Sequence, residues 1–215
     1  FMEIVSSSAT SVGHCNTMGT ALSMNSLAEA LGMSLPGCAA IPAPYRERGQ
    51  IAYETGSRIV AMVRENLRPS DILTRAAFEN AIVTASAIGA STNCPPHIIA
   101  IARHMGVELA IEDWDRIGQE IPLLVDCRPA GRFLGEAFHR AGGVPAVMAE
   151  LLAAGRLHAG AMTVTGRAIA ANLEALPPPD RAVIRAYAAP MKPHGGFAVL
   201  SGNIFDNAVM KVSVI

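Results

Sequence analysis

Apolar residues recur at helical spacing over most of this chain, and strand-like runs take over only near its end. In TALSMNSLAEAL, Leu22, Met24, Leu27, Ala28 and Leu31 follow an approximate i, i+3, i+4 rule, which predicts a helix over 17–31. Asn16 or Thr17 can cap its start, and Gly32 can end it. A second helix is predicted over 51–66, with Ile51, Ile59, Met62 and Val63 turned inward. A third follows Ser70 or Thr74 and buries Phe78, Ala81, Ile82 and Ala85. A fourth runs from about Pro95 to His104, and EDWDRIGQE reads as a short exposed helix. Leu123 to Cys127 reads as a buried parallel strand, and GGVPAVMAELLAAGRL as a helix. HAGAMTVTGRAIAANLEA reads as a short strand and then a helix.

Helices alternating with short apolar strands up to about residue 176 argue for layered α/β architecture. The composition then shifts. ALPPPDRAVIRAYAAPMKPHGG holds three consecutive prolines and a Gly-Gly pair, so 177–195 reads as a linker between domains. FAVLSGNIFDNAVMKVSVI is rich in Val, Ile and Phe around a GN…DN turn, and reads as a β-hairpin opening a β-rich domain over 196–215. The chain begins at Phe1 and stops within that β pattern, so a piece of a longer protein is expected, with 1–176 as part of its α/β domain.

Composition narrows the partners. With 51% hydrophobic and 16% charged residues, the 215-residue chain can bury a sizeable core. A net charge of −1 with no basic patch argues against nucleic acid and anionic membrane. The apolar runs fall short of the roughly 20 residues of a membrane span. With no signal peptide in view, the cytoplasm is the expected compartment. The four cysteines, at 15, 38, 94 and 127, form no C-x-x-C pair, which argues against a zinc ribbon or a thioredoxin-like site. Their wide spacing is also unlike a small disulfide scaffold.

Cys15 is the cysteine with candidate chemistry. It precedes a helix, where partial positive charge and free N–H groups favour a thiolate. A thiolate binds iron or attacks an electrophile; the alternative is a small packed side chain. Its neighbours Gly13, Asn16, Thr17, Gly19 and Thr20 suit close approach to a ligand better than a core. His14 is adjacent but diverges in direction, so the two make a poor catalytic couple. In GASTNCPPHI, Ser91, Thr92 and Asn93 can aim donors at an anion such as a carboxylate, or simply cap the helix. Cys94 and His97 are three apart and could share a helix face as a metal pair. Cys38 and Cys127 read as packing residues. Arg46 and Arg48 sit near a bend and could hold a carboxylate or pair on the surface, and EDWD reads as a solvated face. Asp206 and Lys211 fall in the hairpin. No G-x-S-x-G elbow, P-loop or H-E-x-x-H completes a catalytic set.

CNTMGTALSMNSLAEALGMSLPGCAAIPAPYRERG closely resembles the iron–sulfur dehydratases of dihydroxy acids and sugar acids. The resemblance continues through RPSDILTRAAFENAIV, IGASTNCPPHIIAIARHMGVEL, PAGRFLGEAFHRAGGVPAV, TVTGR and GGFAVLSGNIFDNAVMK, and so covers nearly the whole chain. CNTMGTA and LPGCAAIPAPYRERG look like the sugar-acid (aldonate) branch, in particular the arabinonate dehydratases. The resemblance implies an α/β N-terminal domain followed by a β-barrel-like C-terminal domain, with the active site between them. It implies an iron–sulfur cluster, 2Fe–2S or 4Fe–4S, held by three cysteines, of which Cys15 matches the last. It also implies Mg²⁺ ligands and a serine base outside these 215 residues. The implied reaction removes water from a sugar acid to leave a 2-keto-3-deoxy acid, with iron as Lewis acid on the C3 hydroxyl and Mg²⁺ on the carboxylate. A homodimer or homotetramer is implied as well. Alternatives are the branched-chain dihydroxy-acid reaction, or a non-catalytic paralogue keeping only an interface. His14, Ala90, Cys94, Pro96 and Cys127 depart from the family wording and bear on substrate choice. The 215 residues alone are expected to be inactive.

Overall fold

The computed structural model describes residues 1–3 and 12–215. In chain order they form α1 (Thr20–Ala30), α2 (Arg46–Glu65), α3 (Pro69–Ile72), α4 (Arg75–Ile88), α5 (Cys94–His104), α6 (Glu112–Gly118), α7 (Gly135–Arg140), α8 (Gly143–Ala153) and α9 (Ile169–Asn172). Then come β1 (Phe197–Leu200), β2 (Ala208–Lys211) and a 3₁₀ turn, Val212–Val214. The described chain is mixed α/β and mostly helical, with one two-stranded antiparallel sheet. Among the described residues no helix is long and apolar enough to cross a membrane.

Helix α4 is the centre. Phe78 and every residue from Asn80 to Ile88 are buried, so the predicted stripe of Phe78, Ala81, Ile82 and Ala85 all faces inward. Helices α1, α5, α6 and α8 pack around it. Its alanines and Ser86 let neighbours come close: a Cβ on Gly118 of α6 would lie 2.6 Å from Ser86 Oγ. Larger residues at Ala81 or Ala85 would push these helices apart.

Helix α6 corrects the reading of EDWDRIGQE as an exposed helix. Trp114 is wholly buried and stands edge-on to Phe197 of β1, with ring centroids 5.5 Å apart. Asp113 is also buried, because Arg75 binds both its oxygens at 2.7 and 2.9 Å and the Ala110 N–H reaches it at 2.9 Å. A solvated charge run and a neutralised one look alike in sequence.

The segment from Leu123 to Cys127 is buried and extended, yet it is no parallel strand. Leu123 bridges Lys192 and Val125 bridges Ile184, both antiparallel; Cys127 makes a single parallel bridge to Phe133. Its partners come from 177–195: the Asp126 N–H donates to Val183 O at 2.9 Å, and Met191 N–H to Leu123 O at 2.9 Å. The short strand expected in HAGAMTVTG is likewise one bridge, Met162 to Ala168. An apolar run records burial, not the direction of its partner.

Helix α2 begins at Arg46 rather than at residue 51, with Glu47 in the first turn where the helix dipole favours an acid. It leans on the body by a narrow strip. Met62 is buried, but Ile59 and Val63 are exposed, against expectation. Asn66 ends it in the left-handed region.

Glu29 lies buried in α1 and accepts the N–H groups of Gly37 and Ala39 at 2.6 and 2.9 Å, pinning the loop before α2. Burial pushes its carboxyl up to about 7, against the pull of those two donors. A raised folded pKa means that protonation favours the fold. The stabilisation is therefore whole below about pH 4.5 and drains away as pH rises through about 7. Denaturant titrations of the complete polypeptide should show wild-type stability falling over that window by roughly 3 kcal/mol more than in Glu29→Gln. Parallel curves for the two proteins would refute this.

Candidate functional site

Cys15 lies exposed at the mouth of α1. Its Sγ sits 3.3 Å from the Thr17 hydroxyl, and a Cβ on Gly19, the N-cap residue, would lie 3.5 Å from it. The Thr17 hydroxyl and the Thr17 N–H hold the thiol below its ordinary pKa, against a small burial effect. Asn16 and Thr17 do not cap α1, whose N-cap is Gly19 with no side-chain bond. Asn16 serves α7 instead: its backbone oxygen accepts the Gly135 N–H at 2.8 Å, and its Oδ1 the Glu136 N–H at 3.0 Å. The loop carrying Cys15 is thus tied to a helix more than a hundred residues away. Met18 N–H donates to Arg128 O at 2.7 Å, which adds a second tie.

The Ser91–Asn93 loop comes to the same end of α1. Ser91 Oγ lies 3.1 Å from the Thr20 hydroxyl, Asn93 Nδ2 donates to that hydroxyl at 2.9 Å, and the Ser91 N–H donates to Ser23 Oγ at 3.0 Å. Thr92 is exposed. The sequence places Thr20 among the neighbours of Cys15 suited to close approach to a ligand; Ser23, which resembles an ordinary first-turn hydroxyl, carries no such signal. So Cys15 and the three loop residues flank one helix start, joined through Gly19 and Thr20.

Beside the Cys15 loop lies a pocket of about 220 Å³, lined in part by His14, Asn16, Asn25 and Arg48. His14 is exposed, and its Nδ1 is 2.7 Å from the Cys15 carbonyl oxygen. Arg46 is exposed, while Arg48 is half-buried and its guanidinium is engaged by Ile41 O and, at 3.7 Å, by Cys38 Sγ. Cys38 is thus partly buried beside a cation rather than in purely apolar surroundings. Cys94 and His97 do not share a face. Cys94 is buried, and burial pushes its thiol up to about 12, while His97 is exposed. Cys127 is buried too, as expected, and pushed up to about 11 by that burial.

Thiolate chemistry among these cysteines therefore belongs to Cys15. It is accessible, next to donors, and fits one position in a thiolate-held cluster. Among the described residues no three His, Cys, Asp or Glu side chains converge on a metal-sized space.

A model of the dihydroxy-acid/6-phosphogluconate dehydratase N-terminal family matches residues 1–172. D-xylonate dehydratase of Caulobacter vibrioides is 58% identical over 215 residues, which is 100% of this chain and 36% of that protein. Dihydroxy-acid dehydratase of Acidothermus cellulolyticus is 48% identical over 204 residues, covering 94% of this chain and 37% of that protein. The same enzyme of Renibacterium salmoninarum is 47% identical over 204 residues, 94% of this chain and 36% of its own length. The chain spans little more than a third of these relatives.

Proposed function

The chain belongs to the dihydroxy-acid/6-phosphogluconate dehydratase family, and on that premise we propose that it is part of a hydro-lyase acting on a sugar acid. The substrate is a five-carbon aldonate such as arabinonate or xylonate, and the product a 2-keto-3-deoxy acid. One observation supports the choice of branch: identity reaches 58% with a D-xylonate dehydratase but 45–48% with the dihydroxy-acid dehydratases compared. The enzyme works in the cytoplasm as a homodimer or homotetramer.

Cys15 is one of the thiolates that hold the iron–sulfur cluster. When bound, that cluster supplies a Lewis-acidic iron that makes a hydroxyl a better leaving group. The chain's own contribution is positional. The Thr17 hydroxyl and N–H lower the pKa of the Cys15 thiol, which favours its ionised, metal-binding form. The ties from Asn16 to α7 and from Met18 to Arg128 fix the loop that presents it. Ser91, Thr92 and Asn93 offer hydroxyl and amide donors to the acid, set against α1 through Thr20. The Mg²⁺ expected for this chemistry is assigned to segments beyond these 215 residues, and no step here is routed through it.

The test is an anaerobic assay for 2-keto acid with D-xylonate, arabinonate and a branched-chain dihydroxy acid. The complete polypeptide should turn over a sugar acid and prefer it to the branched-chain acid. The 215-residue piece alone should give no product, since it supplies one cluster ligand. Preference for the branched-chain acid would overturn the substrate reading. Turnover by the piece would overturn the assignment of the remaining ligands elsewhere.

A further inference from the structure

Helix α2 has two sides, and only one of them packs on its own chain. Arg48, Ile51, Arg58 and Met62 lie toward the body, half-buried or buried. Arg58 there binds Val164 O and both oxygens of Glu65, so its charge is matched within the chain.

On the other side, Gly49, Tyr53, Gly56, Val60 and Val63 follow one another at intervals of four, three, four and three residues. At about 100° per residue, all five fall within roughly 80° of helix surface, turned away from Met62. All five are exposed, Tyr53 by 78%, Val60 by 50% and Val63 by 75%. None is charged, although seven of the 20 residues of α2 are. The outward face of a surface helix is ordinarily where charges gather. The two glycines are as unusual. They sit inside the helix, and a Cβ on either would meet no heavy atom within 4 Å. Glycine weakens an exposed helix relative to alanine, and among the described residues nothing uses the room these two leave.

The stripe matches itself. Alternation of four and three is the spacing at which two helices interlock along a shared seam. Let a second α2 run antiparallel across a two-fold axis near residue 58. Tyr53 then meets the partner's Val63, and Gly56 meets the partner's Val60. The two-fold returns the reciprocal contacts, as a self-complementary interface requires. A parallel pair would stack Tyr53 on its own copy and leave glycine against glycine. On one flank Arg64 falls between the partner's Gln50 and Glu54, a match of charge. On the other, Ile59, itself 53% exposed, lies beside its symmetry mate. A covering segment from elsewhere in the same polypeptide would need none of this symmetry of size and charge.

We propose that α2 is an interface between two copies of this chain, paired antiparallel along Gly49, Tyr53, Gly56, Val60 and Val63. This gives a surface to the homo-oligomer in the reading above and rests on it. The test is sedimentation of the complete polypeptide, wild type beside Gly56→Glu and Val60→Glu, with thermal midpoints. Each substitution sets a carboxylate in the seam and should weaken self-association at least about a hundredfold. Ile59→Cys should give a disulfide-linked dimer on mild oxidation, because only the antiparallel pairing brings that position to its own copy. Charged variants that fold and assemble like wild type overturn the proposal while the homo-oligomer stands. Variants that stay assembled but melt lower also overturn it, and assign the seam to a segment of the same polypeptide. Should the charged variants fail to fold, an assembled Ile59→Cys protein that does not cross-link overturns it. A monomeric wild type defeats the homo-oligomer reading together with this one. Dissociation by the charged variants in a protein that turns over no sugar acid leaves the interface standing and defeats only the dehydratase reading.

Discussion

Cys15→Ser in the complete polypeptide is expected to abolish visible cluster absorbance and to lower dehydratase turnover by on the order of 10³-fold or more, the effect of losing several kcal/mol of Lewis-acid stabilisation. A serine hydroxyl does not ionise near neutral pH, so it is a poor iron ligand. The fold should barely notice. The Cys15 side chain is exposed and its recorded neighbours are Thr17 and Gly19, so a stability change within about 0.5 kcal/mol is expected. Cys94→Ser is the matched control. That thiol is buried and held in its neutral form at a pKa of about 12, so the variant should keep iron and colour. Iron content, absorbance and thermal midpoint read out all three proteins. A Cys15→Ser enzyme that stays coloured and active would remove Cys15 from the cluster. Loss of colour in Cys94→Ser instead would assign the ligand to the wrong thiol.

Asp113→Ala is expected to destabilise the polypeptide by about 2 kcal/mol at neutral pH, because it removes the buried carboxylate that accepts from Arg75, Arg116 and the Ala110 N–H. Arg75 binds it at 2.7 and 2.9 Å and Arg116 at 2.5 Å. The hydrogen bonds from Arg75, and then those from the Ala110 N–H and Arg116, hold the carboxyl well below its usual range despite burial. A depressed folded pKa stabilises the fold above the unfolded value near 4, and that contribution is lost as pH falls below it. The gap between wild type and variant should therefore shrink between about pH 4 and pH 2. Urea unfolding at pH 7 and at pH 3 measures both. A gap under about 0.5 kcal/mol at pH 7 would show that the network contributes little.

The periodicity that predicted the α4 stripe and the terminal hairpin was sufficient, because both elements are set by contacts a few residues apart. It also exposed Cys15 as a thiol at a helix mouth, and the Thr17 donors that lower its pKa lie two residues on. Helix α6 was misread because its charges are matched from Arg75, 38 residues earlier. The run from Leu123 to Cys127 showed that it was buried but not that its partners would be antiparallel passes of 177–195. Asn16 reads as a local cap, yet it satisfies N–H groups at Gly135 and Glu136.

The amino-acid sequence by itself determined most of the longer helices, the place of Cys15 before one of them and which family the chain resembles. Each of those is written in neighbouring residues or in their order. Tertiary structure alone decided that Thr20 joins the Cys15 and Ser91 loops and that Asp113 is a buried anion. Those facts depend on groups brought together across long separations, which leave no periodic trace along the chain.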